Sequence, residues 1–101
     1  GADVIVAHMG LTTKGMIGAR TTRTLDECVT AIQEIHDAAV AEREDVIVIC
    51  HGGPISEPAD AQYVLERTKG VVGFYGASSM ERLPAEEAIT ARVAEVTRLT
   101  F

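Results

Sequence analysis

His8, His51 and the pair Ser78–Ser79 each stand just beyond a short apolar run, and that shared placement is where chemistry is expected. Imidazole titrates near neutrality, so a histidine so placed can serve as general acid or base. The stretch Val46-Ile-Val-Ile-Cys-His-Gly-Gly-Pro-Ile55 is the fullest case. Gly52 and Gly53 free the backbone there, and their amides could approach an oxyanion or phosphate closely, as backbone anion nests do. Gly76-Ala-Ser-Ser79 adds small residues and two hydroxyls. A helix starting at Ser79 or Met80 would add a dipole favourable to an anion. Each motif also has a plainer reading: a histidine bonded to a carbonyl, a Gly-Gly-Pro turn into a helix, a serine capping one.

Further polar groups lie near these positions. Lys14, Arg20 and Arg23 punctuate a glycine-rich loop, residues 10–23, that carries no carboxylate. A loop of that length in an α/β unit is expected to bind or cover a ligand, and its cations could clamp a phosphate or carboxylate. Glu81 and Arg82 could pair with each other or contact substrate or metal. Asp3, Glu57 and Asp60 are scattered and no His-x-x-x-His occurs, so the pattern defines no metal site. Cys50 adjoins His51, but consecutive strand residues point to opposite faces, and a buried structural thiol is the better reading.

The elements that must position these groups follow from periodicity. The apolar runs Val4–His8, Val46–Cys50 and Val71–Tyr75 read as strands, and the β-branched run from Val46 reads as one buried on both faces, the kind found in parallel sheets. Thr24-Leu-Asp-Glu27 fits a capping box, and Leu25, Val29, Ile32, Ile35 (or His36) and Ala39 recur along one helical face. A second helix is expected from Ser56–Pro58, with Ala61, Val64, Leu65 and Thr68 as its buried stripe and Gly70 as its stop. A third is expected from Pro84, using Ala85, Ala88, Ile89, Val93, Val96 and Leu99. The order β-α-β-α-β-α implies right-handed crossovers between parallel strands. If the strands are neighbours, all their carboxyl ends share one mouth, where barrel enzymes often hold phosphate after their last two strands.

Composition bounds the partners. The chain has 101 residues, 47% of them apolar, enough for one small core. Nine Lys and Arg against fifteen Asp and Glu give a net charge of −6, which argues against a nucleic-acid or anionic-membrane surface. No apolar run has the length of a membrane span, no signal-peptide pattern opens the chain, and its two cysteines are widely spaced. A cytoplasmic, reducing compartment is the expected setting. The chain opens on Gly1 without an initiator Met and stops at Phe101 after a helical pattern, so it reads as a piece of a longer polypeptide. Three parallel strands cannot close a barrel, and their edges need cover from other strands of that polypeptide or from a second copy.

The string His51-Gly-Gly-Pro-Ile-Ser-Glu-Pro-Ala-Asp60, then Gly70-Val-Val-Gly-Phe-Tyr-Gly-Ala-Ser-Ser-Met-Glu-Arg-Leu-Pro84, is more specific than its separate parts. With Ala7-His-Met-Gly-Leu-Thr-Thr13 and Ile17-Gly-Ala19, it resembles the phosphoenolpyruvate hydrolase-like family of TIM-barrel proteins, related to phosphoenolpyruvate mutase and isocitrate lyase. A similar domain occurs in plant tobamovirus-resistance proteins. The resemblance implies that this α/β chain is the C-terminal part of a (β/α)8 barrel, its strands the sixth, seventh and eighth. It also implies a small phosphorylated or carboxylated metabolite as ligand, with magnesium as the only cofactor suggested. His51 would be the first acid/base with His8 assisting, and Gly52, Gly53, Gly76, Ser78, Ser79, Lys14 and Glu81 would lie at the ligand. A ligand-sensing or protein-interaction module that kept the mouth and lost catalysis is the competing expectation.

Overall fold

A computed structural model of the chain describes residues 1–20 and 23–100. Thr21 and Thr22, at the far end of the long loop, and Phe101 lie outside the described residues. The strands are β1 (Val4–His8), β2 (Ile47–His51) and β3 (Val71–Phe74), and the helices are α1 (Leu25–Glu42), α2 (Pro58–Arg67) and α3 (Arg82–Val96). The sheet is parallel throughout in the order β1-β2-β3, so the fold is α/β, built from the βα unit that (β/α)8 barrels repeat.

The helix starts follow their local chemistry. Thr24 Oγ1 accepts from the Glu27 amide at 3.2 Å while the Glu27 carboxylate accepts from the Thr24 amide at 2.6 Å, completing the capping box of α1. Pro58 opens α2, where its missing N–H costs nothing, and Asp60 accepts from the Glu57 amide at 2.9 Å. Gly70, at φ +78°, turns the chain from α2 into β3.

The core lies between the helices and one face of the sheet. Cys28 and Ile32 of α1 meet Val48 and Cys50 of β2, with Ala7 of β1, Met9, Ile55, Ala61 and Val64 of α2, and Val71 completing it. Leu25, Val29, Ile35, Ala39 and Leu65 pack at its margin, as their spacing predicts, whereas Cys28 sits deeper than that stripe suggests. Burial pushes both thiols above the usual cysteine range, consistent with inert packing groups. Tyr63 Oη donates to Asp26 at 2.5 Å, tying α2 to α1. Midway along α1, Gln33 accepts from the Lys69 amide at 2.7 Å, which holds the α2–β3 turn against that helix.

Two features depart from the periodic reading. β3 carries an extra residue opposite β2: Val48 pairs with Val71, but Ile49 pairs with Gly73. The bulge leaves Val72 exposed and brings both Val71 and Phe74 to the core side, which a strand of strict period 2 forbids. The second departure is α3. It begins at Arg82 rather than Pro84, and of its residues only Leu83 is buried. Ile89, Val93, Val96 and the following Leu99 are 55–65% exposed. The helix runs away from the sheet, and the radius of gyration, 16.9 Å, exceeds the roughly 13 Å of a compact chain this long. The sheet face opposite α1 and α2 is likewise bare, with Val4, Val6 and Ile47 each more than 40% exposed.

Candidate functional site

The parallel register decides where the histidines go. Val4 pairs with Ile47 and, four residues on, His8 pairs with His51, so the two imidazoles leave the same end and the same face of adjacent strands. Their centroids lie 4.8 Å apart with the rings at 75°, edge to face. Tyr75, the residue after β3, joins them: its ring centroid is 4.8 Å from that of His51. The Tyr75 amide donates to the Cys50 carbonyl at 2.8 Å, and the Tyr75 carbonyl lies 2.6 Å from His51 Nδ1. On the other side, His8 Nδ1 accepts from the Gly10 amide at 3.0 Å. His8 and Tyr75 are exposed and His51 is half-buried, so the trio forms an open shelf above the sheet's bare apolar face.

The two glycines after His51 have a demanding geometry. Both have positive φ, +81° at Gly52 and +62° at Gly53, and a β-carbon on either would collide with a carbonyl oxygen, of Gly10 or of Met9. This is a close crossing of two backbones. The Gly53 amide donates to the Gly10 carbonyl at 2.7 Å and is therefore committed within the chain. The pair locks the loop after β1 onto the loop after β2, and the same contact holds Gly10 where its own amide reaches His8.

The remaining expected site residues separate into different surroundings. Lys14 is the ammonium between two carboxylates, 3.6 Å from Glu57 and 3.7 Å from Asp60. Its carbonyl accepts from Arg82 at 3.1 Å, and the Met16 amide donates to Glu86 at 2.7 Å, so the loop is strapped across the starts of α2 and α3. Arg82 pairs with Glu86 at 2.9 Å rather than with its neighbour Glu81, which is exposed at the start of α3. Gly76, Ser78 and Ser79 belong to the turn into that helix, whose first residue is Arg82 and not Ser79 or Met80. The Ser78 carbonyl accepts from the Arg82 and Leu83 amides. Ser79 lines an apolar hollow of about 280 Å³ along α2, with Ala61, Leu65, Phe74 and Met80, and neither histidine reaches it. Arg20 and Arg23 are exposed.

Magnesium demands oxygen ligands. Among the described residues, no group of three or more His, Cys, Asp or Glu side chains is placed to hold a metal ion. Asp60 Oδ2 is already engaged, accepting from the Ser56 amide and hydroxyl and from the Glu57 amide beside Lys14. These side chains alone do not fit the ion.

The residues missed by sequence reasoning are Tyr75 and Gly10. Both act on the histidines through main-chain atoms, and no residue-type signal marks a carbonyl or an amide. Parallel βα units with two histidines at one carboxyl mouth define the class of the chain as an α/β protein built on the unit that (β/α)8 barrels repeat. Residues 1–99 match the model of the phosphoenolpyruvate hydrolase-like family, and the chain belongs to that family. Over all 101 residues it is 65% identical to two tomato (Solanum lycopersicum) proteins, "ToMV susceptible protein tm-1(GCR26)" and "ToMV resistance protein Tm-1(GCR237)". Over 89 residues it is 30% identical to "Putative transcriptional regulatory protein y4pA" of Sinorhizobium fredii, covering 88% of this chain and 14% of that one. The chain spans 13% of the length of each tomato relative.

Proposed function

We propose that the chain supplies the last three βα units, strands six to eight, of a cytoplasmic (β/α)8 barrel that binds a small phosphorylated or carboxylated metabolite at the strand mouth and acts on it. The observation that carries this reading is the His8–His51 pair, matched in register and set edge to face at the carboxyl ends of β1 and β2. Two imidazoles held side by side supply proton transfer and hydrogen bonding to an anion without needing a charged pocket. Family membership supports phosphoenolpyruvate as the first compound to try. His51→Ala in the intact protein should cut turnover of phosphoenolpyruvate by about 100-fold or more, the scale of a lost general base. Unchanged turnover removes His51 from the mechanism. The bare sheet face, the open edges and the exposed stripe of α3 are covered by neighbouring βα units of the same polypeptide or by a second copy.

A second reading has one observation in its favour. Two of the three relatives carry the names of a resistance protein and a putative regulatory protein, which suits a module that senses a metabolite or contacts another protein without converting anything. Calorimetry with phosphoenolpyruvate, run beside a product assay on the intact protein, separates the two. Binding without turnover selects the sensor.

A further inference from the structure

The two imidazoles are bonded at Nδ1 in opposite senses, and we infer that they hold their hydrogens on opposite nitrogens. His51 carries its hydrogen on Nδ1 and presents a bare Nε2 that accepts a proton; His8 carries its hydrogen on Nε2 and presents an N–H donor to an oxyanion. The inference deepens the proposed function, resting on it only for the nature of the ligand.

A carbonyl oxygen has lone pairs and no hydrogen. The 2.6 Å contact between His51 Nδ1 and the Tyr75 carbonyl therefore requires the hydrogen to be on Nδ1. A backbone amide has a hydrogen and no available lone pair. The 3.0 Å contact from the Gly10 amide therefore requires the lone pair of His8 to be on Nδ1. A neutral imidazole has one N–H, so each assignment fixes the opposite nitrogen. Neither partner is a side chain that rotates or titrates. Tyr75 is registered on the β2 ladder through its own amide at 2.8 Å from the Cys50 carbonyl, and Gly10 is pinned by the Gly53 amide at 2.7 Å. Tyr75 and Gly10 are thus positioning residues, acting through main-chain atoms.

The consequence for chemistry is a division of labour. His51 Nε2 takes the proton of a hydroxyl group or water molecule, the O–H bonding pair staying on oxygen, while its Nδ1–H bond to Tyr75 persists and steadies the imidazolium. His8 transfers nothing: its Nε2–H bonds an oxygen of the anion. The roles cannot be exchanged, because His8 could accept a proton only at Nδ1, where the Gly10 hydrogen already points.

Ring nitrogen shifts in the full chain, labelled with ¹⁵N at histidine and recorded at alkaline pH without ligand, read the two tautomers directly; His8→Gln and His51→Gln spectra assign the signals. The expected result is an Nδ1–H signal for His51 and an Nε2–H signal for His8. Matching tautomers, or exchange-averaged rings at either position, overturn the assignment. Opposite tautomers with no phosphoenolpyruvate binding by the intact protein uphold the assignment and sink the functional reading; matching tautomers with binding by the intact protein do the reverse. Where phosphoenolpyruvate binds, His8→Leu should weaken it about tenfold, the scale of one hydrogen bond to a charged group. His8→Gln, which keeps an amide donor near the Nε2 position, should retain most of the affinity. Equal losses in the two variants contradict a donor role for His8.

Discussion

At the scale of single residues, the mouth is held by backbone rather than by side chains. Gly52 and Gly53 combine positive φ with carbonyl oxygens where a β-carbon would stand, so two independent penalties fall on any larger residue. Gly53→Ala is expected to destabilise the chain by about 1–3 kcal/mol in urea unfolding, the range for a residue forced into such a conformation. A loss near zero would mean the two loops slide apart without consequence. The same substitution should also loosen Gly10 and with it the His8 ring. The histidines themselves were legible in the sequence, because a residue after a β-branched run must lie at a strand end. Their partners were not, since the Tyr75 carbonyl and the Gly10 amide are generic groups that only the ladder register brings to them. Lys14 was legible as a loop cation, but its carboxylate partners are more than 40 residues downstream and meet it only in the fold.

At the scale of elements, the periodic reading held where an amphipathic face finds its complement. The stripe on α1 meets β2 and α2, and the buried end of that contact is Ile32. Ile32→Ala should cost about 2–5 kcal/mol, the span for emptying an aliphatic site in a close-packed core. Thr24→Ala, which removes one arm of the capping box, should cost about 1 kcal/mol. Equal losses in the two variants would contradict a core centred on α1 and β2. The stripe on α3 was equally readable, yet the helix leaves it exposed. Periodicity reports which face of a helix is apolar; the surface that covers it is a separate fact, and here that surface is not within reach.

At the scale of the whole molecule, the described residues leave an unpaired edge on each side of the sheet, a bare apolar sheet face and an uncovered helix stripe, the features behind the proposal that other βα units or a second copy cover them. Expressed alone, it should sediment as a species heavier than its own 10.8 kDa. Ile89→Asp with Val93→Asp should shift the distribution toward 10.8 kDa while leaving the α1–β2 core folded by circular dichroism. A cooperatively folded monomer of the unaltered chain would contradict self-association through these faces. The α/β order, the parallel sheet and the shared mouth were all legible from strand-helix alternation. The outward run of α3 was not, because nothing local to its sequence sets the direction a helix takes after its first turn.

The extra residue in β3 has a consequence for how the chain tolerates change. Val72 divides a short strand into two halves of opposite phase, one reaching the core through Val71 and the other through Phe74, which leads directly into Tyr75 beside β2. A slip confined to one half is absorbed at the seam instead of passing along the ladder. The lower half thus answers to packing alone, while the upper half answers to packing through Phe74 and also keeps the Tyr75 carbonyl on His51. The bulge is an expansion joint between the part of the strand that answers to packing alone and the part that answers to packing and the mouth together.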